Sequence, residues 1–389
     1  MTKTRHTLRG LSALALLAAA MPAAAQRAPA DSGAFVARIG SDTVAVERYS
    51  RVGDRLWGQV VSRAPRTTVR SYTATLRPDG SVSHYELTVG PASGPPVARA
   101  VADFGGDSAT VRVTRDTTTT NLRVATPAVT LPQLTYSFGL YEQAAAVARR
   151  TGRDSVDLAI LPMGARQALP LTVRRVRADS VIMTDFEGLH RVRFDARGRL
   201  TRLDGTESTD KVLVDRLPTL DVMRIASAWT AADAGGRAMG QLSPRDTVRA
   251  SVGGANLLVD YGRPSRRGRA IVGGVVPYGE VWRTGANAAT QFRTDHDLVM
   301  GGATVPAGTY TLWTLPSPTG WKLIVNKETG QWGTEYHGEQ DLVRVDLPSR
   351  SVSGEPVERF TIAIDPAAAG GVLRMMWDTT ELALPFTVR

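Results

Sequence analysis

The chain contains no cysteine. That excludes disulfides, thiolate metal sites and a cysteine nucleophile, and it removes the lipid-bearing cysteine that tethers many exported bacterial proteins. Lysine is almost as scarce, with four lysines against 43 arginines in 389 residues. So uniform a bias reads as compositional. A nucleic-acid binder would cluster its charge among stacking aromatics, whereas Arg149-Arg150 and Arg174-Arg175-Arg177 have no aromatic neighbours in sequence, so nucleic acid is not expected as a partner. The familiar catalytic signatures are missing too: no nucleophile elbow, phosphate loop with its lysine, dinucleotide fingerprint or zinc-protease histidine pair occurs. No cofactor is implied, and no catalytic residue can be named.

Long apolar runs are confined to the start. Lys3, Arg5 and Arg9 precede the apolar run Leu11 to Ala20, and Met21-Pro22-Ala23-Ala24-Ala25 follows. A charged region, a short hydrophobic region and a small-residue end describe a secretory signal removed after about Ala25. The run falls short of the ~20 residues that span a bilayer, so the mature protein is expected to be periplasmic or secreted, with no membrane span. Cleavage would lower the net charge from +10 to +7. The excess is uneven: residues 26–241 hold 29 basic and 22 acidic residues, and residues 243–389 hold 15 of each.

What is present is mostly strand. From Phe35 to about Asp204 apolar and polar residues alternate, as in Thr43 to Tyr49 and Tyr72 to Leu76, with turns at Pro78-Asp79-Gly80 and Asp195-Ala196-Arg197-Gly198. One helix is expected over Tyr141 to Arg150, with Gly152 just past its end. Residues 26–219 therefore read as a twisted antiparallel sheet with one or two short helices. In pattern and compartment they resemble the half-open barrels of exported lipid and lipoprotein carriers, without a shared motif. Residues 220–241 read as a helix, with Thr219 as a possible N-cap, and a linker of small residues. Residues 242–389 carry nine short strands at close spacing and no convincing helix, which predicts a β-sandwich or jelly roll. The fold class is mainly β throughout.

The densest concentration of unusual residues runs from Asp260 to Asn287, where Gly and Pro force turns and leave polar and aromatic side chains on loops. Trp282, Arg283 and Asn287 are equipped to hold a planar or polyhydroxylated ligand by stacking and forked hydrogen bonds. Arg263 and Arg269 would extend an anion site, with Asp260 as an ion-pair partner. His337 is placed to act as a base beside Glu335 or Asp341. Asp295-His296-Asp297 has metal-binding composition, but successive residues of a strand face opposite ways, so no metal is expected.

Four stretches together resemble the bacterial family known as domain of unknown function 2911: Tyr261-Gly262-Arg263-Pro264 with Gly268-Arg269; Val276-Pro277-Tyr278-Gly279 leading to Val281 through Asn287; Pro306 to Tyr310; and Trp321 to Asn326 with Gln331-Trp332-Gly333. The resemblance spans residues 242–389 and none of the first 240. It implies a compact exported β-domain and carries no activity. The expected function is a binding or scaffolding module whose loop site (Asp260, Arg263, Arg269, Trp282, Arg283, Asn287, Trp332, His337) takes a small molecule, glycan or envelope ligand. Two alternatives stand beside it. One is a hydrolase-type enzyme using His337 with Arg263 or Arg283 and Asp260; the other is a carrier of apolar ligands through the N-terminal sheet.

Overall fold

The computed structural model describes residues 30–389 apart from 128 and 369; the expected leader lies outside them. Strands dominate, and two helices, α1 (Phe138–Arg150) and α2 (Val222–Ala234), accompany them. The turns form where the sequence predicts. Gly80 and Gly198 take left-handed backbone (φ 86° and 78°), and Asp79 and Asp195 accept hydrogen bonds from the amides of Ser81 and Arg197 (both 2.9 Å). Short polar side chains thus fold back on the turn that they open.

The first fifteen strands make one sheet. Eight of them, from Ala30–Ile39 to Thr118–Ala125, follow one another as an antiparallel meander. The other edge of Ala30–Ile39 pairs antiparallel with Leu213–Leu217, and from there the order runs backwards in sequence to Ser155–Pro162. Thr130–Gln133 is added in parallel at the outer edge. The edge strands Thr118–Ala125 and Thr130–Gln133 are therefore fourteen positions apart in the sheet but separated by four residues of chain. Laid flat, fifteen strands at ~4.8 Å spacing would hold their edges more than 60 Å apart, while that link reaches roughly 20 Å. The sheet must curl upon itself, and Thr130–Gln133 does come against Val82–Gly90.

α1 fills the inside of that curl. Phe138, Leu140, Ala144, Val147 and Ala148 pack in one cluster with residues of both halves of the sheet, among them Phe35, Tyr49, Tyr72, Tyr85, Leu161 and Met183. The cavities left beside the helix measure about 20 and 10 Å³, room for about one water at most. The open apolar groove that a lipid carrier requires is not found on this face among the described residues; aromatic side chains and the helix occupy it.

α1 begins three residues earlier than its alanine-rich stretch suggests, and the reason is remote in sequence. Ser137 at its N-cap makes no capping hydrogen bond. The Glu47 carboxylate accepts instead from the amides of Phe138 (2.5 Å) and Gly139 (3.0 Å), and from the Ser137 and Tyr72 hydroxyls. The second helix starts at Val222 and is capped by Asp221, which accepts from the Arg224 amide (3.0 Å), rather than by Thr219. It lays Val222 and Ala226 on the opposite face of the sheet, against Val36, Val46, Val61 and Val69.

The remaining strands form two antiparallel sheets facing each other across one apolar core. One has six strands, from Arg245–Val252 to Asp341–Leu347; the other centres on Val357–Ala367, Gly370–Asp378 and Thr380–Val388. Each of the nine expected strands lies within an observed one. Leu298–Met300, Ala303–Val305 and Ser349–Ser351 are additional, each too short for alternation to register.

Candidate functional site

The segment from Arg263 to Ala289 contains no regular strand among these elements. It is pinned at Trp282, whose backbone exchanges hydrogen bonds with Thr314 (2.8 and 2.9 Å) on the edge left free where Thr290–Thr294 ends. The Trp282 ring is a core residue. It stacks on Trp377 (centroids 5.8 Å apart) and meets Phe360 edge-on at 5.1 Å, presenting only its rim outward. Arg283 follows, and Gly333 makes the path of its side chain possible. A side chain there would put Cβ 1.9 Å from Arg283 Cδ and 2.3 Å from the Asn287 carbonyl.

The two halves of the chain meet on this segment. Gly40, at the turn after the first strand, has φ 59°, and a Cβ on it would lie 2.1 Å from the Arg267 carbonyl. That carbonyl accepts from the Ser41 amide (3.1 Å), and the Arg267 guanidinium pairs with Asp42. On the opposite side the Gly240 amide donates to the Pro65 carbonyl (3.0 Å), and Thr334 reaches the Phe186 carbonyl. Between these contacts lies a cleft of about 400 Å³. Its first wall is Ile39, Ala64, Pro65 and Thr209 to Lys211. The second is Arg267, Arg269, Val275, Trp282, Arg283, Asn287 and Trp377, and residues 241–243 close one end.

Four sequence-predicted residues, Arg269, Trp282, Arg283 and Asn287, line this cleft together. The other four do not. Asp260 pairs with Arg245 at 2.8 Å. Arg263 is fixed by Asp246, the Phe360 carbonyl and Thr361 at 2.9 to 3.2 Å, the arrangement of a loop anchor. Trp332 is half-buried beside Gly333 on the backbone bridge to Ala288. His337 lies exposed and bonds Glu328 at 2.7 Å rather than Glu335 or Asp341; that carboxylate raises its pKa. The trio His337, Arg263 and Asp260 therefore does not converge in the cleft. Asp295 is likewise engaged locally, by Asn256 and His296.

The cleft is cationic. Arg269 donates to the Ser265 and Arg266 carbonyls (2.6 and 3.0 Å), and burial, followed by Arg267, lowers its pKa to about 10. Arg283 lowers to about 10 through burial alone, and its Nε is shielded from solvent without a hydrogen-bond partner. Lys211, from the loop before Leu213–Leu217, drops to about 8 through burial and then through Arg283 and Arg269. Sequence reading missed it, because nothing around Thr209-Asp210-Lys211 marks it as more than a polar turn. Lys211, Arg267 and Asn287 also hold left-handed backbone (φ 56°, 51° and 63°), as does Thr284 beside Arg283 (53°). Non-glycine residues in that region cost energy and gather at binding sites.

Asp210, also on the cleft wall, leads inward to a second group that the sequence does not signal. It contacts Glu187, and burial raises the pKa of both carboxyls. Asp185, Glu187 and His190 each place a potential ligand atom within 4.8 Å of the others, the composition for a divalent cation. Hydrogen bonds already occupy Asp185: His190 Nε2 at 3.3 Å, the Glu187 amide at 2.9 Å and the Tyr141 hydroxyl at 3.4 Å.

Residues 243–386 match the family described as protein of unknown function (DUF2911), in agreement with the motifs of the second half. No curated protein and no solved structure matches the chain.

Proposed function

We propose that the protein is an exported binding protein whose cleft between the two halves takes a small molecule bearing a carboxylate or phosphate. The observation that carries this reading is Arg283: a desolvated guanidinium facing the cleft, with an unpartnered buried Nε and no carboxylate contributing to its environment. A buried charge without a partner is costly, and a bound anion would offset that cost through charge-assisted, forked hydrogen bonds. Arg269 and Lys211 extend the same field, while the rims of Trp282 and Trp377 offer an apolar wall for the rest of the ligand. Export is supported by the pattern of residues 1–25.

The test is titration of the purified full-length protein with inorganic phosphate and with acetate, followed by tryptophan fluorescence and calorimetry. Saturable binding is expected, weakened about tenfold or more in Arg283→Ala, since a charge-assisted hydrogen bond contributes ~1.5–3 kcal/mol. Absence of saturable binding to either anion, or equal affinity in the variant, would overturn the reading.

A further inference from the structure

We propose that Lys211 is a nucleophilic amine that forms an imine with a small carbonyl compound carrying a carboxylate or phosphate, the anionic group seated on Arg283 and Arg269. This rests on the anion-site reading of the cleft and adds a reaction to it.

Lys211 stands apart first by its residue type. Arginine stays protonated in proteins, whereas a buried lysine readily loses its proton and serves as a Schiff-base amine. This chain uses arginine at 43 of its 47 basic positions. Two of the few lysines, Lys322 and Lys327, are on exposed surface, the former paired with Asp346 at 2.6 Å. Lys211 instead lines the cleft beside three arginines, in the one chemical role that an arginine could not fill.

Its setting also suits a neutral amine. Lys211 is held with φ 56°, and its Nζ donates to the Thr206 carbonyl at 2.6 Å. Among the described residues no carboxylate lies within 4 Å of it. The charged groups that face it are Arg283 and Arg269 across the cleft and, more weakly, Glu280 and Glu207; burial first, then the two arginines, bring the amine down to about 8, against a smaller opposing pull from the two glutamates. Neighbouring cations that keep a lysine neutral are a known means of activating it. The same cations would hold the anionic end of the substrate, leaving its carbonyl to the amine.

The reaction balances without a co-reactant. The Nζ lone pair forms a bond to the carbonyl carbon and the C=O π pair moves to oxygen. The two amine protons then leave with that oxygen as water, and the C=N bond takes the place of C=O.

The experiment incubates full-length protein with glyoxylate or pyruvate and sodium cyanoborohydride, then locates the reduced adduct by intact-mass and peptide mass spectrometry. Expected is a single adduct at Lys211, ahead of Lys322 and Lys327 by tenfold or more, with a rate that rises with pH and levels above about 8. Lys211→Arg should lose the adduct, and Lys211→Met guards against a folding defect peculiar to the arginine. Arg283→Ala should slow labelling about tenfold. Equal labelling of all three lysines, or none at Lys211, would overturn the proposal. If phosphate and acetate still bind in that case, only the lysine chemistry falls; if they do not, the anion-site reading falls with it.

Discussion

Gly333 illustrates how a single position governs the cleft. It carries no functional atom, yet the Arg283 side chain crosses the space where its Cβ would stand. Gly333→Ala must displace either Arg283 or the Asn287 carbonyl, and backbone gives way less readily than a side chain. The expected outcome is a loss of ~1–3 kcal/mol in urea unfolding, together with weaker phosphate binding in the fluorescence titration. A variant unchanged in both would show that Arg283 does not need this path. Only part of this was legible in the sequence. The Gly- and Pro-rich stretch announced loops bearing Trp, Arg and Asn, and Arg269, Trp282, Arg283 and Asn287 did gather. Asp260, Arg263 and His337 were taken up by partners 9 to 98 residues away, which local pattern cannot reveal. Lys211 was invisible because its significance lies in the arginines brought opposite it by folding.

At the scale of elements, the start of α1 is set by a carboxylate on another strand. Glu47 is fully buried, and burial outweighs its four hydrogen-bond donors, lifting its pKa to about 7. The sign follows from linkage. A carboxyl whose folded-state pKa exceeds its unfolded value binds more protons when folded, so its contribution is fully present below about 4.5 and declines as pH rises toward 7. Glu142, raised by burial, acts in the same direction. Chemical unfolding measured from pH 5 to 8 should therefore show stability falling with pH, by up to a few kcal/mol for Glu47. In Glu47→Gln the slope should flatten, because an amide does not titrate, while stability at pH 5 should change by less than ~1 kcal/mol, since the amide oxygen can accept from the Phe138 and Gly139 N–H groups as Oε2 does and the NH2 can donate to the Tyr72 and Ser137 hydroxyl oxygens. An unchanged slope would refute the assignment. The hairpin turns, by contrast, were readable, because aspartate and glycine act within two residues of the turn that they make.

For the whole molecule, the cleft exists only while its two walls are seated on each other. Gly40 is the tightest point of that seat, with left-handed backbone pressed on the Arg267 carbonyl. Gly40→Val adds both a β-branched side chain at positive φ and a collision with main chain. Circular dichroism should retain the strand signal, since each half has its own core. Phosphate affinity should fall at least tenfold, and thermal unfolding should separate into two transitions. Wild-type affinity in this variant would mean that ligand recognition does not depend on the seat.

The rolled sheet has one further consequence. Its two wings are stitched along a single ladder, Ala34–Arg38 against Leu213–Leu217, and some 180 residues of chain separate the partners. Each wing can zip locally, hairpin upon hairpin, but the first strand keeps a naked margin until nearly the whole N-terminal half has emerged. Since closing so long a loop is entropically the dearest step, assembly of this half should culminate at the place where its chain began.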